Sequence, residues 1–360
     1  MGCTECHGGV DALSSANVDS MLVLMDNSHE GMVVDPAANA EESCGRCHGD
    51  IVALNATSLH TSFRGYETLF EARTGLSFAE NHEVAEEFKN ECGVCHTTCG
   101  QCHISYPNSV KGGLVRSHKF LGRPSQSAHC TSCHGSRVGE EYLGSREGYS
   151  ADVHYVPNSM NCVSCHDQTE MHGDGTEYET RYHSEAMPRC EDCHGGVAED
   201  TPETNAWHAK HSDNFACQVC HSQDYKNCNL CHVAGTGIRE PSYIDFKIGK
   251  NPLPELREEY DYVVLRHIPI ANDTYSPWGV AEQDNFEALP TWKYASPHNI
   301  KRWTARTDTT GGVSCGYACH TTPDEGGWFL RQSDLDIMTD PDEQTANQEF
   351  IVPNGSPVNW

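Results

Sequence analysis

One pattern recurs along the whole chain and leaves no cysteine outside it. Cys-x-x-Cys-His stands at Cys3/Cys6/His7, Cys44/Cys47/His48, Cys92/Cys95/His96, Cys99/Cys102/His103 and Cys130/Cys133/His134. It continues at Cys162/Cys165/His166, Cys190/Cys193/His194, Cys217/Cys220/His221 and Cys228/Cys231/His232. A tenth copy, Cys315/Cys319/His320, has one extra residue between its cysteines. The copies use all 20 cysteines of the 360-residue chain. The tightest stretch is Cys92–His103, where only Thr97 and Thr98 separate two copies. The motif histidines there are seven residues apart. That bounds their separation at roughly 25 Å for an extended chain and about 10 Å for a helical one.

Cys-x-x-Cys-His is the attachment pattern of c-type haem. Thiols at i and i+3 share one face of a helical turn and reach the two vinyl groups of a porphyrin. The adjacent histidine then lies beneath the iron. Structural zinc makes a different demand: two cysteine pairs per ion, or histidines set apart from them, and no histidine directly after each second cysteine. Histidine accounts for only 22 of 360 residues, so its tenfold placement here is not accidental. Ten covalently attached haems are therefore expected, two of them neighbours at Cys92–His103. At Cys315–His320 the longer loop must bulge, and a local disulfide is the competing reading.

Twelve histidines lie outside the motifs: His29, His60, His82, His118, His129, His154, His172, His183, His208, His211, His267 and His298. Ten irons need ten more ligands for bis-histidine coordination, so the supply is sufficient with two to spare. His208 and His211 read as alternatives. His129, His154, His172 and His183 sit close to motifs in sequence, but the nearest haem need not be the one served. Bis-histidine iron has no open position and suits electron carriage rather than catalysis. Met160, Met171 and Met187 lie near motifs, and packing is the better reading for them.

Ten haems leave 36 residues for each, and apolar residues are only 37% of the chain, cysteines included. The polypeptide is short of core, and the porphyrins are expected to supply the missing apolar surface. The apoprotein should not fold. The formal charge of −28 becomes about −38 with ten oxidised haems and their propionates. Such a surface disfavours nucleic acid and anionic membranes. It suits cations, cation-bridged mineral surfaces or basic patches on partners, although solubility alone also explains it. No run of 18 apolar residues exists, so no membrane-inserted helix is expected. Haem attachment is extracytoplasmic, so an export signal is expected ahead of this numbering. A bound Ca²⁺ is compatible with 52 acidic residues, but no loop has a convincing ligand spacing.

The expected fold is mostly irregular coil with short α-helices wrapped around a continuous haem stack, with few β-strands, mainly in the C-terminal part. Residues 1–235 read as a nine-haem electron-transfer domain. Residues 236–360 read as an aromatic and Pro-rich domain or arm holding the tenth haem. Eleven of 17 prolines and five of six tryptophans lie beyond residue 235. Cys3–Val10 (CTECHGGV) is echoed by Cys190–Val197 (CEDCHGGV), which suggests a reused unit. Residues 79–90 predict a helix with Val84 and Phe88 on one face, and His82 is placed to reach a haem from it. Tyr260–Ile270 predicts a strand. The tail Asp334–Trp360 has little apolar content and is expected to need a neighbour to be ordered.

From Cys3 to His320 the motifs resemble those of multihaem c-type cytochromes of extracellular respiration. The motif count is similar to the decahaem subunits of porin–cytochrome conduits, though the C-terminal Cys-x-x-x-Cys-His departs from their even repeat. Cys130–Gly139 (CTSCHGSRVG) and Met171–Gly175 (MHGDG) are similar to stretches of octahaem cytochromes related to tetrathionate and hydroxylamine enzymes. A third resemblance is to cytochromes that polymerise into extracellular filaments. These resemblances imply a secreted, extracellular or cell-surface decahaem cytochrome, with the periplasm as second choice. It would carry electrons by haem-to-haem hopping. Its partners would be copies of itself, other redox cytochromes and extracellular electron acceptors. The alternative they imply is a multihaem oxidoreductase of a small nitrogen or sulfur compound with one open haem. Multihaem nitrite reductases often mark that site with Cys-x-x-Cys-Lys, which is absent here. Cys3–His7 and Cys315–His320 are the places where an open iron is expected, if there is one.

Overall fold

The computed structural model describes residues 3–9, 30–91, 93–145, 148–223, 246–268, 270–308, 319 and 327–353. Cys92, Cys228, Cys231, His232, Cys315, His320 and the ligand candidate His29 lie outside them, as does the expected boundary at 235/236.

Most of the described chain is coil, interrupted by fourteen short α-helices of at most 11 residues. Several motifs are themselves single helical turns: Cys3–His7, Cys99–His103 and Cys217–His221. Local chemistry keeps the helices short. Helix Gln168–His172 starts at Asp167, whose carboxylate accepts the N–H groups of Thr169 (2.8 Å) and Glu170 (3.1 Å). It stops at Gly173, where φ is 81° and ψ 168°, a region open essentially to glycine alone. The echoed Cys3–Val10 and Cys190–Val197 segments part company after their histidines. Gly8 and Gly9 turn left-handed at φ 64° and 79°, whereas Gly195 opens a 3₁₀ turn, Gly195–Glu199.

The chain forms two compact units. The first comprises Met1–Gly65, Gly93–Cys133 and His166–Arg181. Among the described buried apolar side chains, only Ala37 and Pro107 belong to it. Ile51, Leu54, Val110, Leu114 and Phe120 of this unit are exposed. What holds it is backbone and polar contact. Val33 N–H donates to His7 O (2.7 Å), Leu121 N–H to His103 O (2.7 Å), and the Ser58 hydroxyl to Met171 O (3.0 Å). At Gly173 the chain passes so close to helix Gly45–Asn55 that a Cβ would stand 2.6 Å from Leu54 O.

The second unit comprises Tyr66–Cys92, His134–Cys165 and Tyr182–Trp360, and it has an apolar core. A three-stranded antiparallel sheet lies at its centre: β1 (Lys247–Lys250), β2 (Tyr262–His267) and β3 (Trp292–Tyr294), with β2 in the middle. Ile248 pairs with Val264, and Leu265 with Tyr294. The β-branched run predicted as a strand is β2, and Val263, Val264 and Leu265 are buried on both its faces. Phe215 and Val219, which precede the sheet in the chain, pack on it, as do Phe329, Leu330, Leu335, Met338 and Val352, which follow it. Each such side chain contributes about 1.5–3 kcal/mol on burial.

The tail corrects an expectation. Residues through 353 need no neighbour, because Leu335, Met338 and Val352 reach the sheet core and Val352 N–H donates to Leu330 O (2.8 Å). Sparse apolar content suffices where most of it turns inward, with Ile337 the exposed exception. A separate aromatic cluster joins Tyr66, Phe70, Phe78, Phe88 and Tyr275, with Tyr66 stacked on Phe88 at 3.8 Å. Its Phe88 and the buried Val84 come from helix His82–Glu91, the helix predicted over 79–90. Beside it, buried Arg73 donates to Leu289 O (3.0 Å) and Pro290 O (3.1 Å) and lies over the Phe286 ring. Burial pulls this guanidinium down to about 10, still charged at neutral pH.

Candidate functional site

Four pairs of histidine rings stand at nearly one distance. His7 and His118 are 6.0 Å apart between ring centres, His103 and His172 6.1 Å, His194 and His154 6.1 Å, and His221 and His208 6.0 Å. Packed rings of any kind fall between roughly 4.5 and 7 Å, so the distance alone decides nothing. The composition of the pairs is more informative. Each joins one motif histidine to one of the twelve outside the motifs. A metal–imidazole bond of about 2 Å on each side places two ring centres ~6 Å apart across one ion. The first two pairs lie within the first unit and the last two within the second.

The other ring nitrogen is held in the same way in most of these histidines. His7 Nδ1 donates to Val33 O (2.8 Å), His103 Nδ1 to Leu121 O (2.6 Å) and His221 Nδ1 to Lys301 O (3.1 Å). His154 Nδ1 donates to Asp152 Oδ1 (2.8 Å), and His208 Nδ1 to Asp200 Oδ2 (2.7 Å). Motif residue His166 donates Nδ1 to Glu170 Oε2 (2.7 Å). Carbonyls and carboxylates only accept, so the proton sits on Nδ1 and Nε2 carries the lone pair that a metal needs. His129 adds a further sign. Its Nε2 is buried without a hydrogen-bond partner, while Nδ1 lies 3.0 Å from Ser125 N and 3.3 Å from Ser125 O. A buried orphan of this kind is costly unless something else occupies it.

Burial pulls His60, His96, His172 and His221 below the usual imidazole range, which favours the neutral, ligating form. His166 is raised instead, chiefly by its bond to Glu170. His60 feels His166, and His96 feels His60, so His60 stands near two motif histidines of the first unit.

The described motif cysteines differ in exposure. The sequence assigns Cys6, Cys47, Cys193, Cys220 and Cys319, each the second cysteine of its copy, to thioether bonds with haem. Cys6, Cys47 and Cys193 are exposed, as are Cys95 and Cys165, so every exposed cysteine among those described is the second of its copy. Cys220 and Cys319 are half-buried instead and pack against the sheet core, where a thiol behaves as a small apolar group.

Cysteines of different motifs also meet. Cys44 comes to Cys99, Cys95 to Cys133, and Cys190 to Cys217. Burial pushes the Cys95, Cys99 and Cys102 thiols up. Between Cys190 and Cys217 a hydrogen bond lowers the first and raises the second. Cys190 Sγ, a Glu191 carboxylate oxygen and Cys217 Sγ lie within 4.8 Å of one another. The Tyr260 hydroxyl donates to that carboxylate. Three ligands fall short of the four that structural zinc takes.

The remaining ligand candidates are placed variously. His267 is a correction: it is buried on β2, and Nε2 itself donates to Glu343 Oε1 (2.7 Å), so the ligating nitrogen is committed to a core carboxylate. Thr291 Oγ1 donates to the same oxygen (2.8 Å), and Asn347 binds Thr291 and Trp292, tying helix Pro341–Asn347 to β3. His211 donates Nδ1 to Trp207 O (2.8 Å) beside Phe215, so of the two alternatives it is His208 that stands opposite a motif histidine. His298 donates Nδ1 to Ser296 O (2.8 Å) and its backbone N–H to Glu141 (2.9 Å). His82 is exposed at the start of helix His82–Glu91, and His183 ends the turn Arg181–His183. His48 is exposed at a kink in helix Gly45–Asn55.

Three carboxylates that accept from these histidines escape the sequence reading. Glu170 lies four residues after His166, a helical spacing that could have disclosed it. Asp152 and Asp200 lie two and eight residues before their histidines, and no local pattern marks them. No family model, curated protein or solved structure matches this chain.

Proposed function

We propose that the chain is a decahaem c-type cytochrome that conducts electrons along closely spaced haems in extracellular respiration. The observation that carries this reading is the matching of motif with non-motif histidines at 6.0–6.1 Å in four independent pairs. The near absence of a polypeptide core among the described residues of the first unit supports it, since that unit needs another apolar filler. When bound, haem supplies an Fe(III)/Fe(II) couple that takes up and releases one electron without bonding a substrate. The motif cysteines would anchor each group through two thioethers. Motif histidines and their partners His118, His172, His154 and His208 would fill both axial positions. The carbonyls and carboxylates at Nδ1 of His7, His103, His154, His208 and His221 orient these imidazoles and keep Nε2 unprotonated. The haems would form a continuous stack through the chain. The protein would be secreted to the cell surface or beyond, with other copies, redox cytochromes and extracellular acceptors as partners, and would assemble end to end into filaments.

Intact mass of natively matured protein should show ten added haems, and integrated low-temperature EPR of the oxidised form should be low-spin throughout. A mass without haem sinks the reading. A high-spin iron would favour the oxidoreductase with one open site. Negative-stain images at physiological salt should show filaments, and monodisperse particles alone would remove the assembly from the proposal.

A further inference from the structure

The four histidine pairs differ in what backs them. In the first unit, His7 and His103 donate Nδ1–H to backbone carbonyls. In the second, one ring of each pair donates to a carboxylate: His154 to Asp152 and His208 to Asp200. Asp152 is built into its place. It is 1% exposed, Oδ1 also accepts His154 N–H (2.7 Å), and Oδ2 accepts Ile300 N–H (2.6 Å). Lys301, whose side chain reaches Ala151 O, is the cation that feels it. Asp200 is 24% exposed, and the Asn205 side chain lies 3.0 Å from the same His208 nitrogen. The carboxylate, as the pure acceptor, still takes the proton.

A carboxylate at Nδ1 pulls that proton harder than a carbonyl does and makes the imidazole a stronger electron donor through Nε2. A stronger donor stabilises Fe(III) over Fe(II), so the reduction potential falls. Burial sharpens the effect at Asp152, where the charge is not screened by water.

Building on the cytochrome reading, we propose that Asp152 and Asp200 are potential-setting residues. They place the centres of His154/His194 and His208/His221 below those of His7/His118 and His103/His172. The chain thus carries carboxylate-backed, low-potential centres beside carbonyl-backed, higher-potential ones, and motif residue His166, backed by Glu170 in the first unit, falls with the former.

The test is an anaerobic spectroelectrochemical titration of the holoprotein and of its Asp152→Asn and Asp200→Asn variants. Asparagine keeps the shape and an acceptor oxygen but loses the charge. Asp342→Asn, exposed on helix Pro341–Asn347 and bonded to no described histidine, controls for net charge. Intact mass and EPR accompany each sample. In each active variant the most negative part of the curve, about a tenth of the amplitude, should move to higher potential. Haem count and low-spin signature should stay the same, and the control should overlay the wild type. Fully loaded variants whose curves overlay the wild type, or a control that shifts as far, overturn the proposal and leave the cytochrome reading intact. A wild type without haem overturns both. Should Asp152→Asn fail to mature, the more exposed Asp200→Asn carries the same test.

Discussion

At Asp152 the carboxylate takes the Nδ1 proton of His154, and that ring stands 6.1 Å from motif residue His194. At Glu343 the carboxylate takes Nε2 of His267, and that ring is locked into the sheet core. The two histidines are indistinguishable by composition or by their apolar neighbours in sequence. The nitrogen engaged separates them, and two substitutions expose the difference. His172→Ala should leave the haem count unchanged, because the thioethers remain, and should convert one iron in about ten to high spin by integrated EPR. His267→Ala should leave the spin state unchanged but should cost about 1–3 kcal/mol in denaturant titration, because Glu343 loses a buried donor. A high-spin signal in His267→Ala, or none in His172→Ala, would reverse these assignments.

Among elements, the histidines are carried on pieces too short to be stable alone. Helix Gln168–His172 has one full turn, a carboxylate cap at Asp167 and a glycine stop. Isolated helices of this length do not persist in water. Its position is set where Gly173 meets Leu54 O, so Gly173→Ala should be unusually disruptive. The backbone angle alone costs about 1–3 kcal/mol for any other residue, and the added Cβ meets a carbonyl at 2.6 Å. The expected result is a lower melting temperature together with the same one-iron spin change as His172→Ala, since the helix that presents His172 is displaced. A melting temperature equal to wild type would show that the helix tolerates the change. The helix over 79–90 was legible from Val84 and Phe88 at i, i+4, and the strand in Tyr260–Ile270 from its run of bulky and β-branched residues. The order β1-β2-β3 and the return of the tail onto β1 were not, because pairing partners far apart in sequence leave no local signal.

For the whole molecule, the contrast between the units is one of solvent exclusion. The second excludes water with Val, Leu, Ile and aromatic side chains around a sheet. The first brings its chain together with only Ala37 and Pro107 as buried apolar residues among those described. Protein made without haem attachment should therefore come apart unevenly. Limited proteolysis followed by mass spectrometry should find cleavage throughout 30–65, 93–133 and 166–181, while 246–268 and 327–353 stay protected. Uniform protection of the haem-free chain would mean that the first unit stands without an added apolar group.

The ten cysteine–histidine units, their use of every cysteine and the surplus of twelve further histidines are one-dimensional facts. Under the proposed cytochrome reading they define the anchoring chemistry, because covalent attachment needs its three residues adjacent in the chain. The pairing of histidine rings is of another kind. His7 with His118 and His103 with His172 join residues separated by long connections, and neither partner is the nearest histidine in sequence. The same holds for the acceptor behind each ring, a carbonyl here and a carboxylate there, for the packing of Cys220 and Cys319 against the sheet while Cys6, Cys47 and Cys193 face solvent, and for the removal of His267 into the core. Such choices depend on where separate segments arrive in space, which packing and hydrogen-bond geometry decide after the chain has folded.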